Sequence, residues 1–140
     1  MLGKTHLGGG ILMSLLLCKG DVVSSICLIV GSILPDIDHP RSIIGKNVPI
    51  LPKLLKHRGF THSIIFCVLI SFFNVWLGIG SLVHIIMDMM TKQGVELFYP
   101  NKLKIRFPLV KNTVTNGLFE KVIFYSCYLL ITYLLYKRFV

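Results

Sequence analysis

Four apolar runs divide the chain, at 8–17, 22–34, 63–90 and 122–136. The first two are separated by the polar turn Lys19-Gly20-Asp21, and the second is stopped by Pro35, because proline disfavours helix at the residue before it. The longest run contains Asn74, Gly78 and Gly80. The last is followed by Lys137-Arg138. Between them lie a basic loop over 40–58, with Pro40, Pro49 and Pro52, and a polar, basic stretch over 91–121 with scattered strand formers. There is no internal repeat and no low-complexity segment.

If the third run holds two helices, the pattern predicts helices over 5–18, 22–34, 62–77, 80–91 and 119–137. The third run can be read in two ways. A single helix over 63–90 would be ~42 Å long at 1.5 Å per residue, more than a bilayer requires. Two helices turning near Gly78 and Gly80 would be short enough to pack in a bundle. The two readings place His84 and Asp88 at opposite ends of the molecule, so the polar residues bear on the choice.

All five histidines and three of the four aspartates fall in four short islands. The islands are Thr5-His6; Pro35-Asp36-Ile37-Asp38-His39-Pro40; His57-Arg58-Gly59-Phe60-Thr61-His62-Ser63; and His84-Ile85-Ile86-Met87-Asp88. With two helices in 63–90, all four islands come to one end of an up-and-down bundle. Neutral imidazole and carboxylate are ligands for zinc and similar divalent ions. His84 and Asp88 stand four apart and share a helix face. The prolines around the second island stiffen its backbone, so that Asp36 and Asp38 can point one way while Ile37 packs. In the third island Gly59 permits a tight turn between two histidines, and Thr61 is placed to cap the following helix. Arg58 offers a planar fork suited to phosphate, with Lys56 beside it.

The candidate ligands are His6, Asp36, Asp38, His39, His57, His62, His84 and Asp88. That is too many for one zinc and suits two ions, Zn2+ or alternatively Mn2+ or Mg2+, sharing a bridging carboxylate. Asp38 and Arg58 are the candidate catalytic residues, and Arg58 and Lys56 the candidate phosphate contacts. The expected chemistry is hydrolysis of a phosphoester, in a lipid or another membrane-proximal anionic substrate, through metal-activated water. No Ser/His/Asp arrangement, phosphate-binding glycine loop or G-x-G-x-x-G is present.

Composition moves the picture toward a membrane. Of the 140 residues 54% are hydrophobic and 15% charged, against roughly 25% charged in soluble domains. The length suits one domain. The expected fold is all-α, a small membrane-embedded bundle of about five helices with the metal site at one end. The net charge of +9 suits anionic lipid or a phosphorylated substrate. Only Lys19, Lys137 and Arg138 fall away from the site end, so the positive-inside rule puts that end in the cytoplasm of a multi-pass protein. The four cysteines lie in or beside apolar runs without C-x-x-C spacing, which predicts free thiols. The N-terminal apolar segment is read as retained, since cleavage would discard His6.

Two other classes compete with this reading. One is a non-catalytic metal-binding or metal-transporting membrane protein; a transporter should carry ionisable groups deep within its helices, whereas these cluster at helix ends. A nucleic-acid-binding protein should interleave more aromatics among its basic loops than Phe98, Tyr99 and Phe107. No protein partner is indicated.

An early histidine, P-D-I-D-H, H-R-G-x-T-H-S and H-x-x-x-D, in that order, match His6, Asp36 to His39, His57 to Ser63 and His84 to Asp88. This ordered set resembles the YdjM family of membrane-bound metal-dependent hydrolases over residues 1 to about 100. The resemblance implies an integral membrane protein using a divalent metal. A more distant similarity is to the all-helical zinc phospholipase C and P1-type nucleases, which also use H-x-x-x-D.

Overall fold

The computed structural model describes residues 1–107 and 114–140. Among these residues it is all-helical, with no strand beyond one isolated antiparallel bridge between Val95 and Ile105. The α-helices are α1 (Gly3–Leu17), α2 (Val22–Gly31), the single turn α3 (Leu51–Leu54), α4 (Ile64–Ser71), α5 (Val75–Met89) and α6 (Leu118–Phe139). Lys111, assigned to the site end from the sequence, lies outside the described residues.

Local chemistry fixes the turns. Lys19 and Gly20 both take positive φ, which closes the reversal after α1. Asp21 then caps α2, its carboxylate accepting from Ser24 N at 3.0 Å. The long apolar run does break, but earlier than expected, over Phe72–Asn74. Asn74 caps α5 by accepting from Trp76 N at 2.8 Å, satisfying a donor that the first helical turn leaves orphaned. Gly78 and Gly80 are therefore interior residues of α5 and not its hinge. Their role is close packing: a Cβ on Gly80 would strike the Leu28 carbonyl, and one on Gly31 the Leu77 carbonyl. Small residues let α2 and α5 meet backbone to backbone. Thr61 does not cap α4 either. Ser63 does, accepting from Phe66 N, and frees Thr61 to donate to Asp38.

α5 is the central helix, packed by α1, α2 and α4, while α6 lies along α1. α1 and α6 run parallel: Leu2 N donates to Glu120 at one end, and Gly20 abuts Arg138 at the other. All four cysteines are free thiols. The outer surface is largely apolar, with Phe72 and Phe73 each 83% exposed and Val22, Val23, Leu129 and Tyr133 also outward. α6 alone among the described helices is long and apolar enough to cross a membrane, over Leu118–Arg138 with mean hydropathy 1.5.

Candidate metal centre

His6 stands in the first turn of α1, and His84 and Asp88 one turn apart near the end of α5. Asp36 and Asp38 come from a 3-10 turn, Leu34–Asp38, that Pro35 starts and the Ser42 hydroxyl braces by donating to Asp36 O at 2.5 Å. His62 ends a second 3-10 turn, Phe60–His62. Because the break in the third apolar run returns α5 to this end, the four islands meet. His6, His62 and His84 are fully buried, Asp38 and Asp88 nearly so.

The hydrogen bonds fix the imidazoles. His84 Nδ1 lies 2.7 Å from the Ser32 carbonyl, which can only accept, so Nδ1 carries the proton and Nε2 turns a lone pair inward. His62 Nδ1 contacts Asp38 Oδ2 at 3.2 Å and Thr61 Oγ1 at 3.1 Å, which commits that nitrogen too. The two Nε2 atoms then face each other at 3.2 Å. Around them, Asp36 Oδ1 is 3.7 Å from His62 Nε2 and 3.6 Å from His84 Nε2, and Asp88 Oδ2 is 3.6 Å from His62 Nε2. The His6 ring stacks on His84 at 3.6 Å between centroids. Its Nε2 is 3.3 Å from Asp88 Oδ1 but out of line for a hydrogen bond, so both ring nitrogens are buried without a partner.

Three overlapping groups have ligand atoms within 4.8 Å of one another: Asp36, Asp38, His57 and His62; His6, Asp36 and His84; and His62, His84 and Asp88. Orphaned imidazole nitrogens and clustered carboxylates are the donor set that a divalent cation takes. The residues present therefore fit a metal. His57, half-exposed, joins through Asp38 Oδ1 at 2.8 Å from its Nδ1. His39 belongs to none of the three groups. Its ring lies 4.7 Å from that of His57, and its Nδ1 accepts from Arg41 N at 3.2 Å.

Electrostatics follow from this packing. Burial opposes charge on Asp36 and Asp38, yet hydrogen bonds from His62 and His84 to the first, and from His57 and His62 to the second, hold both carboxyls below the usual range. Burial likewise opposes a charged His62, but Asp36 and Asp38 override it and raise its pKa to about 9.

Arg58, 5% exposed, turns inward. Its Nη2 lies 3.1 Å from Asp88 Oδ2, and its Nη1 donates to Thr91 Oγ1 at 2.8 Å and to Gly94 O at 3.4 Å. Its backbone N–H donates to Asp38 Oδ2 at 3.1 Å. In the tight turn expected at Gly59, the left-handed residue is Arg58, at φ 64°, a conformation that costs a non-glycine residue roughly 1–2 kcal/mol. Lys56 pairs with the buried Glu96.

Several supports carry no recognisable mark in the sequence. They are the Ser32 carbonyl, Thr91, Glu96, and Glu120, which accepts from Leu2 N, Thr5 Oγ1 at 2.9 Å and Asn116 N and so ties α6 to the start of α1. The amino group of Met1 pairs with Asp88 Oδ1. A pocket of about 450 Å³ opens beside the cluster, lined by Asp36, His39, Arg41, Ser42, His57 and Arg58 among others.

Comparison with known proteins bears on what this cluster belongs to. The family model described as YdjM inner membrane protein matches residues 1–139. YvsG of Bacillus subtilis (strain 168), an uncharacterized protein, is 34% identical over 131 residues, covering 81% of this chain and 82% of its own. The inner membrane protein YdjM of Escherichia coli (strain K12) is 35% identical over 101 residues, covering 59% of this chain and 52% of its own, so this chain matches about half of that relative's length. YdjM of Shigella flexneri matches to the same extent. No solved structure matches. With nearly the whole chain matched by the family model, this is a membrane protein of the YdjM family.

Proposed function

We propose that the protein is a metal-dependent hydrolase of the membrane, acting on a phosphoester presented at the membrane surface. The observation that carries this reading is the pair of His62 and His84 Nε2 atoms, 3.2 Å apart, their partner nitrogens already committed and Asp36 and Asp88 alongside. Two inward lone pairs at that distance repel unless a proton or a cation lies between them. His6, Asp36, His62, His84 and Asp88 would hold the inner ion. Asp36, Asp38 and His57 offer a second set, with Asp36 shared between the two, and two zinc ions are the expected complement. When bound, such ions lower the pKa of water and polarise phosphoryl oxygens.

The chain's own residues do the rest. Ser32 O and Asp38 orient the two imidazoles, as partners behind metal-bound histidines commonly do. Arg58 holds Asp88 in place and offsets part of the negative charge of the site. Asp38 also bonds His57 Nδ1 and so orients that ring at the pocket. Lys56 is occupied by Glu96, and Arg58 by Asp88, so contact with a substrate phosphate would require either to exchange its partner.

The apolar outer surface supports a multi-pass arrangement, with α6 crossing the bilayer beside the shorter helices. α1 is 15 residues long, or ~22 Å, and the hydrocarbon core is ~30 Å thick. The basic loops support a cytoplasmic site end.

The test is metal analysis of the purified full-length protein beside turnover of a generic phosphodiester. The reading expects bound zinc and zinc-dependent turnover. A protein that binds zinc without turning over any phosphodiester would be a metal-binding membrane protein and not this hydrolase.

A further inference from the structure

We infer that His39 and Arg41 form an oxyanion-recognition arm of the pocket, which selects a phosphate ester with a polar head group. The inference deepens the hydrolase reading and rests on it for the pocket's being a substrate site. It does not rest on it for the roles of these two residues.

His39 falls in the same island as Asp36 and Asp38, yet its hydrogen bonding sets it apart. Arg41 N–H donates to His39 Nδ1, so that nitrogen is unprotonated and the ring proton sits on Nε2. His57 is the reverse: its Nδ1 is bonded to the Asp38 carboxylate, which leaves a lone pair on Nε2. The two rings, 4.7 Å apart at one pocket, thus offer opposite groups. His57 presents an acceptor, as a metal ligand must. His39 presents an N–H donor, which repels a cation and attracts an anion.

Arg41 supplies the charge. Two guanidinium groups line the pocket, Arg41 and Arg58. That of Arg58 is buried and engaged by Asp88, Thr91 and Gly94. Arg41 is exposed and has no ion pair among the described residues, so its fork is free for a bidentate contact with phosphate. Pro40 between them limits the backbone freedom of the His39–Arg41 unit. At about 450 Å³ the pocket exceeds what one phosphate needs and falls within the range of small-molecule sites. The extra space leaves room for a head group. The phosphate could belong to a lipid or to a free ester.

The experiment is calorimetric titration of inorganic phosphate and of dioctanoyl phosphatidic acid into the full-length protein in zwitterionic detergent, before and after zinc loading. The expected result is that Arg41→Gln and His39→Phe each weaken phosphate binding by about tenfold or more, roughly the loss of one charge-assisted hydrogen bond. Zinc stoichiometry should not change. Arg41→Lys should fall between, and His39→Gln, whose amide can accept from Arg41 N–H and still donate, should retain most of the affinity. Tighter binding of the lipid than of phosphate would make a lipid head group the source, and equal binding a free ester. Unchanged phosphate affinity in Arg41→Gln, or loss of zinc in His39→Gln, would overturn the inference. Arg41-dependent phosphate binding without any phosphodiester turnover would leave it standing and remove the hydrolase reading. Turnover with Arg41-independent phosphate binding would do the reverse.

Discussion

His62 and His84 each have one ring nitrogen tied to a fixed acceptor, so only the other can respond to what enters between them. In the metal-free protein that occupant is a proton, and the carboxylates of Asp36 and Asp38 hold it on His62 up to about 9. A metal requires the neutral ring, so binding at neutral pH must expel this proton. The sign follows: the raised pKa favours the protonated, metal-free state at low pH, and this competition disappears as pH rises through about 9. Zinc affinity is therefore expected to climb by about tenfold per pH unit from neutrality toward that value and then level off. Titrations in buffers of different ionisation enthalpy would count the released proton, and an affinity flat across this range would contradict the assignment. Arg58 acts at the same scale. Because its Nη2 lies against Asp88 and its strained backbone donates to Asp38, Arg58→Ala should lower zinc affinity by roughly 10–100-fold, the usual effect of removing a group that orients a ligand. Metal analysis by mass spectrometry would read this directly, and full zinc occupancy would free Arg58 for another role.

At the scale of elements, the site exists because the run over 63–90 is two helices. A straight helix would carry His84 and Asp88 away from His62. The meeting of the four islands was legible in the sequence, since alternation of short helices brings them to one end. The position of the break was not. Gly78 and Gly80 suggest flexibility when read along the chain, but across the fold they are contact points, Gly78 against α4 and Gly80 against α2. Only the neighbouring helix distinguishes the two uses of glycine. Asn74, an ordinary capping residue, had the better local claim. In the same way Thr61 and Ser63 are both competent caps, and it is Asp38, distant in sequence, that claims Thr61. Gly80→Leu is therefore expected to push α2 from α5 and to destabilise the protein by about 2–3 kcal/mol or more, as overpacking at a tight contact does. Asn74→Ala should cost about 1 kcal/mol. Thermal unfolding in detergent would rank the two. A larger effect at Asn74 than at Gly80 would mean that the cap, and not the helix contact, dominates the stability of α5.

The whole molecule joins an apolar exterior to a charged, buried end. Glu96 and Glu120, the only glutamates in the chain, are both buried at that end. One pairs with Lys56, and the other binds the start of α1 to α6. Neither belongs to a motif, so the candidate ligands were legible in the sequence and the frame that holds them was not. The proposed arrangement in the bilayer makes its own prediction. A cysteine replacing Lys46, in the basic loop, should react with a membrane-impermeant maleimide only from the cytoplasmic side, and one replacing Lys19 only from the opposite side. Labelling of both from the same side would exclude a bundle that crosses the membrane.

On the proposed reading, the buried histidines and aspartates together hold metal ions. The most direct measurement is zinc content per full-length chain, purified in detergent without chelator, for the unsubstituted protein and for His62→Ala and Asp88→Asn. Up to two zinc ions per chain are expected, with occupancy falling in both variants while the helical circular dichroism is retained. Folded protein that takes up no divalent metal, or variants that hold as much zinc as the unsubstituted chain, would contradict the account.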